Sequence, residues 1–178
     1  RMLDILCAIP VYLFAISLSV VTVGHGLNLG LVRVSADNLL IPIFIIALVY
    51  VPYAARPLRA RALSLARAEF VMAAKSLGAS PWRILCREIL PNLADTLIVL
   101  APLVTALCLL AESALSFLTL GVQAPAASWG SIIQDGEGLL YTRPAVAIAP
   151  GLAIVATVLA LNMLGDALRA ALNPKERR

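Results

Sequence analysis

Long apolar segments alternate with shorter polar ones along this chain, and four of the apolar segments are candidates to span a bilayer. A transmembrane helix needs about 20 mostly apolar residues, with a range of about 17–25. Prolines inside such helices are tolerated because neighbouring helices or water satisfy the freed carbonyls. The pattern predicts an all-α, polytopic transmembrane helix bundle with spans at roughly Ile5 to Val23, Leu39 to Tyr53, Leu93 to Leu118 and Pro144 to Leu164.

The polar stretch at about residues 55–92, between the second and third spans, predicts two helices joined at a corner. Apolar residues recur there at steps of three and four, which indicates one apolar stripe on a first helix. Gly78 suits the end of that helix, and Ser80 with Pro81 suits the start of a second one. Pro91 is predicted to end the second helix. The stripe consists of Leu63, Ala66, Phe70, Ala73 and Leu77, and the second helix carries Trp82, Leu85 and Ile89.

Two interpretations of this stretch are open from the residues alone. An amphipathic helix could lie on the lipid headgroups, or the stretch could dock on a partner protein. The small residues Ala73 and Ala74 favour a partner, because they let another backbone approach closely, whereas a lipid-facing stripe favours bulkier side chains.

Composition supports a membrane protein. Of 178 residues, 61% are hydrophobic and 13% are charged, whereas about a quarter of the residues of a soluble domain are charged. The net charge of +4 does not indicate a nucleic-acid partner, because the positive residues cluster beside apolar spans. That clustering is the positive-inside signature.

The Lys and Arg residues also predict an orientation. The outer candidate loops are poor in positive residues, so the Arg-rich stretch and the C-terminus are expected to be cytoplasmic, with His25 and Asp135 outside. Cytoplasmic positives between the second and third spans are Arg56, Arg59, Arg61, Arg67, Lys75, Arg83 and Arg87, and those after the fourth span are Arg169, Lys175, Arg177 and Arg178.

Candidate catalytic chemistry is sparse. No Gly-rich loop ends in Lys-Ser or Lys-Thr, so ATP is expected on another chain, and no catalytic triad or metal motif appears. We therefore predict no enzyme activity, no cofactor and no metal site. An intramembrane protease and a secondary transporter remain rival classes; the second expects charged or broken helices near the midplane. Only Glu112 approaches this, and it either lines a translocation path or is structural, the second being favoured.

The segment MAAKSLGASPWRILCREILP, from Met72 to Pro91, resembles the cytoplasmic loop of ABC importer membrane subunits. That pattern reads Glu-Ala-Ala, three residues, Gly, nine residues, Ile, any residue, Leu-Pro. Met72 occupies the Glu position and Glu88 the Ile position. The other pattern positions are filled by Ala73, Ala74, Gly78, Leu90 and Pro91.

The resemblance covers the whole chain and is to the dipeptide/oligopeptide/nickel class of permeases. It includes Glu112-Ser113-Ala114-Leu115-Ser116-Phe117-Leu118, Ser128-Trp129-Gly130 and Gly165-Asp166, with Thr119 where Gly is usual. It implies a C-terminal fragment of a six-span, type I permease in a bacterial inner membrane, translocating peptides or, alternatively, nickel.

The resemblance also implies partners: ABC ATPase subunits, a second permease subunit (identical or different), an extracytoplasmic solute-binding protein and the bilayer. The residues expected to meet the ATPase are Glu69, Met72, Ala73, Ala74, Gly78, Trp82, Leu90 and Pro91.

Overall fold

The computed structural model describes residues 11–25, 27–28, 33–34 and 39–172. Two short strands, β1 and β2, pair antiparallel with Leu27 opposite Val34, and every other regular element is helical. In chain order these are α1 (Val11–His25), β1 (Leu27–Asn28), β2 (Arg33–Val34), α2 (Leu40–Ala66), α3 (Glu69–Ser76), α4 (Pro81–Ile84), a π-helical turn (Leu85–Ile89), α5 (Leu90–Phe117), α6 (Trp129–Gly136), a 3₁₀ turn (Glu137–Leu139) and α7 (Ala145–Leu172).

Among the described residues, three helices are long and apolar enough to cross a membrane: α2, the continuous helix Pro81–Phe117, and α7. Their 27, 37 and 28 residues correspond to about 40–55 Å at about 1.5 Å per residue. A bilayer's hydrocarbon core is about 30 Å thick, so each helix reaches beyond it. The all-α, multi-span prediction is confirmed. Of the first predicted span, residues 5–10 lie outside the described residues.

The predicted second span was too short, and the predicted stripe from Leu63 to Leu77 was wrong. Helix α2 continues to Ala66, and the Arg67 N–H donates to the Ser64 carbonyl at 3.2 Å in a closing turn. Ala68 is then extended (φ −70°, ψ 152°) before α3 begins. Because the break interrupts the helical period, the predicted residues do not form one stripe on one helix. The side chains of Leu63 and Leu77 are exposed.

Pro91 does not end the second helix, contrary to prediction. The π-helical turn Leu85–Ile89 lies immediately before it, and the Leu90 N–H donates to the Leu85 carbonyl. In an α-helix, a proline ring normally clashes with the carbonyl four residues earlier, and the proline nitrogen has no hydrogen to donate to that carbonyl. The wider π-helical turn accommodates the ring without this hydrogen bond. The Asn92 side chain donates to the Glu88 carbonyl at 2.7 Å. The helix therefore passes through Pro91.

The chain divides into two compact units. The first comprises Arg1–Pro52 and Thr105–Ala160, and its core brings together α1, the first half of α2 and the second half of α5. Buried apolar side chains there exclude water from the three helices. These side chains are Ala15, Ile41, Ile45, Ile46, Val49, Tyr50, Ala111 and Leu115.

Helix α6 approaches α5 closely within this first unit. A Cβ atom on Gly130 would overlap the carbonyl oxygen of Ser113, so only glycine permits the approach. Ser128 and Ser131 form a reciprocal cap at the start of α6: the Ser131 N–H donates to Ser128 Oγ at 3.3 Å and the Ser128 N–H to Ser131 Oγ at 2.9 Å. The segment after α5 is thereby held against the helix that precedes it.

The second unit comprises Tyr53–Val104 and Leu161–Arg178. Its described part contains the end of α2, the helices α3 and α4, the start of α5 and the end of α7. The buried apolar side chains of this part include Leu65, Val71 and Ile84, at 7%, 0% and 5% exposure. This unit holds the stretch for which the sequence favours binding to a partner.

Candidate functional site

The candidate site is the corner between α3 and α4. Glu69 lies in the first turn of α3 and Lys75 in its last turn, each favourably placed against the partial charge at that end of the helix. Helix α3 contacts α4, so the two short helices form a compact helical corner between α2 and α5.

Gly78 ends α3 with a backbone turn that favours glycine. Its φ is +77°, its N–H donates to the Lys75 carbonyl at 2.9 Å, and the Ala79 N–H donates to the Ala74 carbonyl at 3.1 Å. This pair of bonds is a Schellman motif, which satisfies the last carbonyls of a helix. A Cβ on Gly78 would meet no atom within 4 Å, so the constraint is the backbone conformation and not space.

Ser80 starts the next helix as predicted. It is extended, and its side-chain oxygen accepts from the Arg83 N–H at 3.3 Å. Pro81 follows at the first helical position, where its missing N–H costs nothing. The helix stop at Gly78 and the helix start at Ser80 are only two residues apart, which fixes the corner tightly.

Helix α3 has a buried side and an exposed side. Val71 is fully buried and Ala74 is half-buried, so Ala74 faces inward. Glu69, Met72 and Ala73 are exposed and, at spacings of three and four residues, share the opposite face. The structure therefore separates the two alanines that the sequence grouped together.

Large apolar side chains are exposed around the corner. Leu77 is 88% exposed, Trp82 74% and Met72 51%. We call these three residues the corner surface. Leu77 was predicted to be part of an apolar stripe on one helix. Its neighbour Gly78, which turns the chain, was the signal that it lies at the helix end and is exposed.

Leu90 and Pro91 are placed differently from the other predicted site residues. Both are exposed and lie in the continuous helix Pro81–Phe117, beyond the π-helical turn and outside the corner. Of the eight predicted residues, six therefore belong to the α3–α4 corner and these two to the helix that leaves it.

Glu112 lies in the first unit and is tied to its own chain. The Ser116 hydroxyl donates to Glu112 Oε1 at 2.6 Å and accepts from the Val122 N–H at 3.0 Å. This chain of bonds folds residues 119–122 back over the end of α5. Thr119, with φ +61°, adopts the left-handed conformation that non-glycine residues rarely adopt.

The hydrogen bond to Ser116 gives Glu112 a structural contact, and its place on a translocation path stays a prediction. Sequence reasoning missed Ser116, although its position one turn after Glu112 is the spacing at which helical side chains meet.

Comparison with known proteins identifies the family. A family model described as binding-protein-dependent transport system inner membrane component matches residues 1–178. The chain belongs to this family. It is 38% identical over 175 residues to a putative peptide transport system permease protein of Brucella suis biovar 1, covering 98% of this chain and 55% of that protein.

Two further relatives have the same extent of similarity. The dipeptide transport system permease protein DppC of Alkalihalophilus pseudofirmus is 38% identical, with 98% of this chain and 53% of that protein covered. The glutathione transport system permease protein GsiD of Pectobacterium atrosepticum is 37% identical, with 98% and 54% covered. The chain thus spans about half the length of the relatives it matches. The predicted resemblance to peptide-class importer permeases is confirmed.

The Ser116 bonds generate a prediction about the turn at residues 119–122. Ser116→Ala removes the acceptor of the Val122 N–H, and losing a buried hydrogen bond costs about 1–3 kcal/mol. Amide hydrogen exchange at Val122 should therefore accelerate about tenfold or more. Glu112→Gln retains an acceptor for the Ser116 hydroxyl and should change the exchange less. Unchanged exchange in Ser116→Ala would show that other contacts hold the turn.

Proposed function

We propose that this chain is part of the membrane-spanning permease subunit of an ATP-driven importer for peptides. The family match and relatives described as peptide, dipeptide and glutathione permeases support this. The observation that carries the proposal is the corner surface, because Leu77 and Trp82 leave most of their apolar area uncovered. Such a patch favours a protein partner.

The partner we propose for the corner is an ATPase subunit. This chain has no phosphate-binding loop in its sequence, so ATP is bound and hydrolysed elsewhere and this chain has no enzymatic step. ATP binding closes the ATPase pair and moves the corner, and the helices continuous with it carry that movement through the membrane. A solute-binding protein delivers the peptide outside, and a second permease subunit supplies the other half of the path.

The proposal includes an orientation in which the corner and the C-terminus are cytoplasmic. Three Arg residues in the C-terminal half of α2 support it, because positive residues that flank a span favour the cytoplasmic side. They are Arg56, Arg59 and Arg61.

Orientation is tested by single-cysteine labelling in spheroplasts. Cysteines replace Lys75 or Asp135 in a variant whose native cysteines are serines. We expect an impermeant maleimide to label position 135 and not position 75, because positive loops remain inside. Labelling at position 75 before lysis would reverse the orientation and remove the ATPase from reach of the corner.

Gly78 provides the experiment that tests the function. Valine at φ +77° strains the backbone by about 1–2 kcal/mol or more, enough to move the corner without unfolding the spans. Gly78→Val should leave the protein in the membrane but lower peptide uptake per ATP hydrolysed, measured in proteoliposomes with the complete importer.

Gly78→Asn is the matched control, because asparagine adopts this conformation more readily and no atom lies within 4 Å to oppose a side chain. It should retain coupled uptake. Normal uptake by Gly78→Val at wild-type expression would contradict the proposed role of the corner.

Met72 and Glu69 generate a prediction about the ATPase contact. Both are exposed on the same face of α3, and a thioether fills irregular clefts well. We expect Met72→Asp to weaken ATPase binding more than Met72→Leu, by about tenfold or about 1.4 kcal/mol. Glu69→Lys should weaken it more than Glu69→Gln if Glu69 meets a basic groove.

The measurement is pull-down of the ATPase subunit at two salt concentrations. Exposed charges are least screened at low salt, so the Glu69→Lys defect should be largest there. Wild-type binding by Glu69→Lys at low salt would show that the contact is apolar only.

A further inference from the structure

The second unit contains a cavity that the corner does not use. It has a volume of about 760 Å³ and lies between the ends of α2, α5 and α7. Helix α2 contributes Pro57 and Arg61; the remaining lining residues come from the start of α5 and the last turns of α7. Its walls combine charged side chains with apolar ones, unlike the apolar surfaces of the spans.

Charges of both signs line this cavity. They are two carboxylates, Asp95 and Asp166, and two guanidinium groups, Arg61 and Arg169. Within the part of the chain that the structure describes, none of these four side chains forms an ion pair with another. Together they present donors and acceptors to a ligand that carries both a positive and a negative charge.

The spacing of two of these charges suits a short peptide. Asp166 and Arg169 are three residues apart on α7, so their side chains leave the helix on adjacent turns, with about 5–6 Å between Cβ atoms. A fully extended dipeptide spans at most about 7 Å. A carboxylate can accept from its ammonium group, and a guanidinium can donate two parallel bonds to its carboxylate.

We propose that this cavity binds the free amino and carboxyl ends of a short peptide. Asp95 and Asp166 receive the ammonium end, and Arg61 and Arg169 receive the carboxylate end. The proposal rests on the proposed function and adds to it a site within this chain where the transported peptide is held.

The rest of the lining explains how such a site would accept different peptides. Val99, Leu100 and Leu103 form an apolar wall along α5, which contacts side chains without fixing their identity. All unmodified peptides share the two charged ends. Since the four charged side chains are exposed, the ion pairs are weak, and a transport site must release its ligand.

Gly165 determines how much room the cavity has. It lines the cavity on α7, and a Cβ there would lie 3.6 Å from the Cβ of Pro102, an ordinary van der Waals distance. Alanine at this position therefore fits, whereas a leucine would project into the cavity and reduce the space for a peptide.

The test is protection of a cysteine from labelling. Asn162, which lines the cavity and is exposed, is replaced by cysteine in the complete importer, with Cys7, Cys86 and Cys108 changed to serine. The importer is placed in phosphatidylglycerol nanodiscs without solute-binding protein. With a Kd near 1 mM, the dipeptide Ala-Ala at about 10 mM should slow maleimide labelling about tenfold.

Blocked peptides and cavity variants distinguish specific binding in the cavity from protection that does not depend on the charged ends of the peptide. N-acetyl-Ala-Ala-amide lacks both charges and should not protect, and Asp166→Asn or Gly165→Leu should abolish protection by Ala-Ala while Gly165→Ala retains it. Labelling of a cysteine at Tyr141, which is fully exposed in the first unit, should not respond to any peptide.

Three results would overturn the proposal. These are no protection by Ala-Ala, equal protection by the blocked peptide, or slow labelling without peptide in phosphatidylethanolamine nanodiscs but not in phosphatidylglycerol nanodiscs. The last result would assign the cavity to a lipid head group, which carries the same two charges.

Uptake by the same importer with its solute-binding protein keeps the two proposals apart. Uptake of Ala-Ala without protection refutes only this inference, whereas uptake of no peptide refutes the proposed function.

Discussion

The backbone conformation of Gly78 is the constraint on which the candidate site depends. A positive φ there lets the Gly78 and Ala79 N–H groups close α3, and it delivers Ser80 in position to cap α4 two residues later. Each bond satisfies a group that a helix end leaves open. The conformation of the corner is consequently fixed by its own backbone hydrogen bonds, while the side chains of Leu77 and Trp82 are largely exposed.

A fixed corner matters because of what it joins. Helix α4 leads through the π-helical turn into α5, and together they form one continuous helix, Pro81–Phe117; in the proposed mechanism this helix carries the movement of the corner. At the far end, Ser116 links that helix to the following turn through Glu112 and Val122. The corner and the turn at residues 119–122 therefore lie next to opposite ends of one continuous helix.

The sequence predicted the local features well, because they depend on neighbouring residues only. Gly78, Ser80 and Pro81 have conformational preferences that hold in any protein, and the spans follow from apolar length. The break at Arg67 and Ala68 was missed because no glycine or proline marks it. At Pro91 the sequence predicted a helix end where the helix in fact continues, since a π-helical turn cannot be recognised from a proline and its neighbours alone.

The division of α3 into two faces was also beyond the sequence. Ala73 and Ala74 are adjacent and chemically identical, and only packing shows that Ala74 turns toward the buried Val71 while Ala73 is exposed. Glu112 could be recognised as unusual because carboxylates are rare within spans. Its hydrogen bond to Ser116, and through it to the chain six residues on, required the folded turn.

Cross-linking from Leu77 tests the central claim, that the corner meets the ATPase, most directly. Leu77 is the most exposed large apolar residue of the second unit at 88%, so Leu77→Cys alters little of the fold. In an importer whose permease has no other cysteine, a short lysine–cysteine cross-linker should join position 77 to the ATPase subunit, with a yield that changes when ATP is added. A cysteine at Tyr141 should give no such product. Absence of the product at position 77 in an assembled importer, or an equal yield at position 141, would contradict the account.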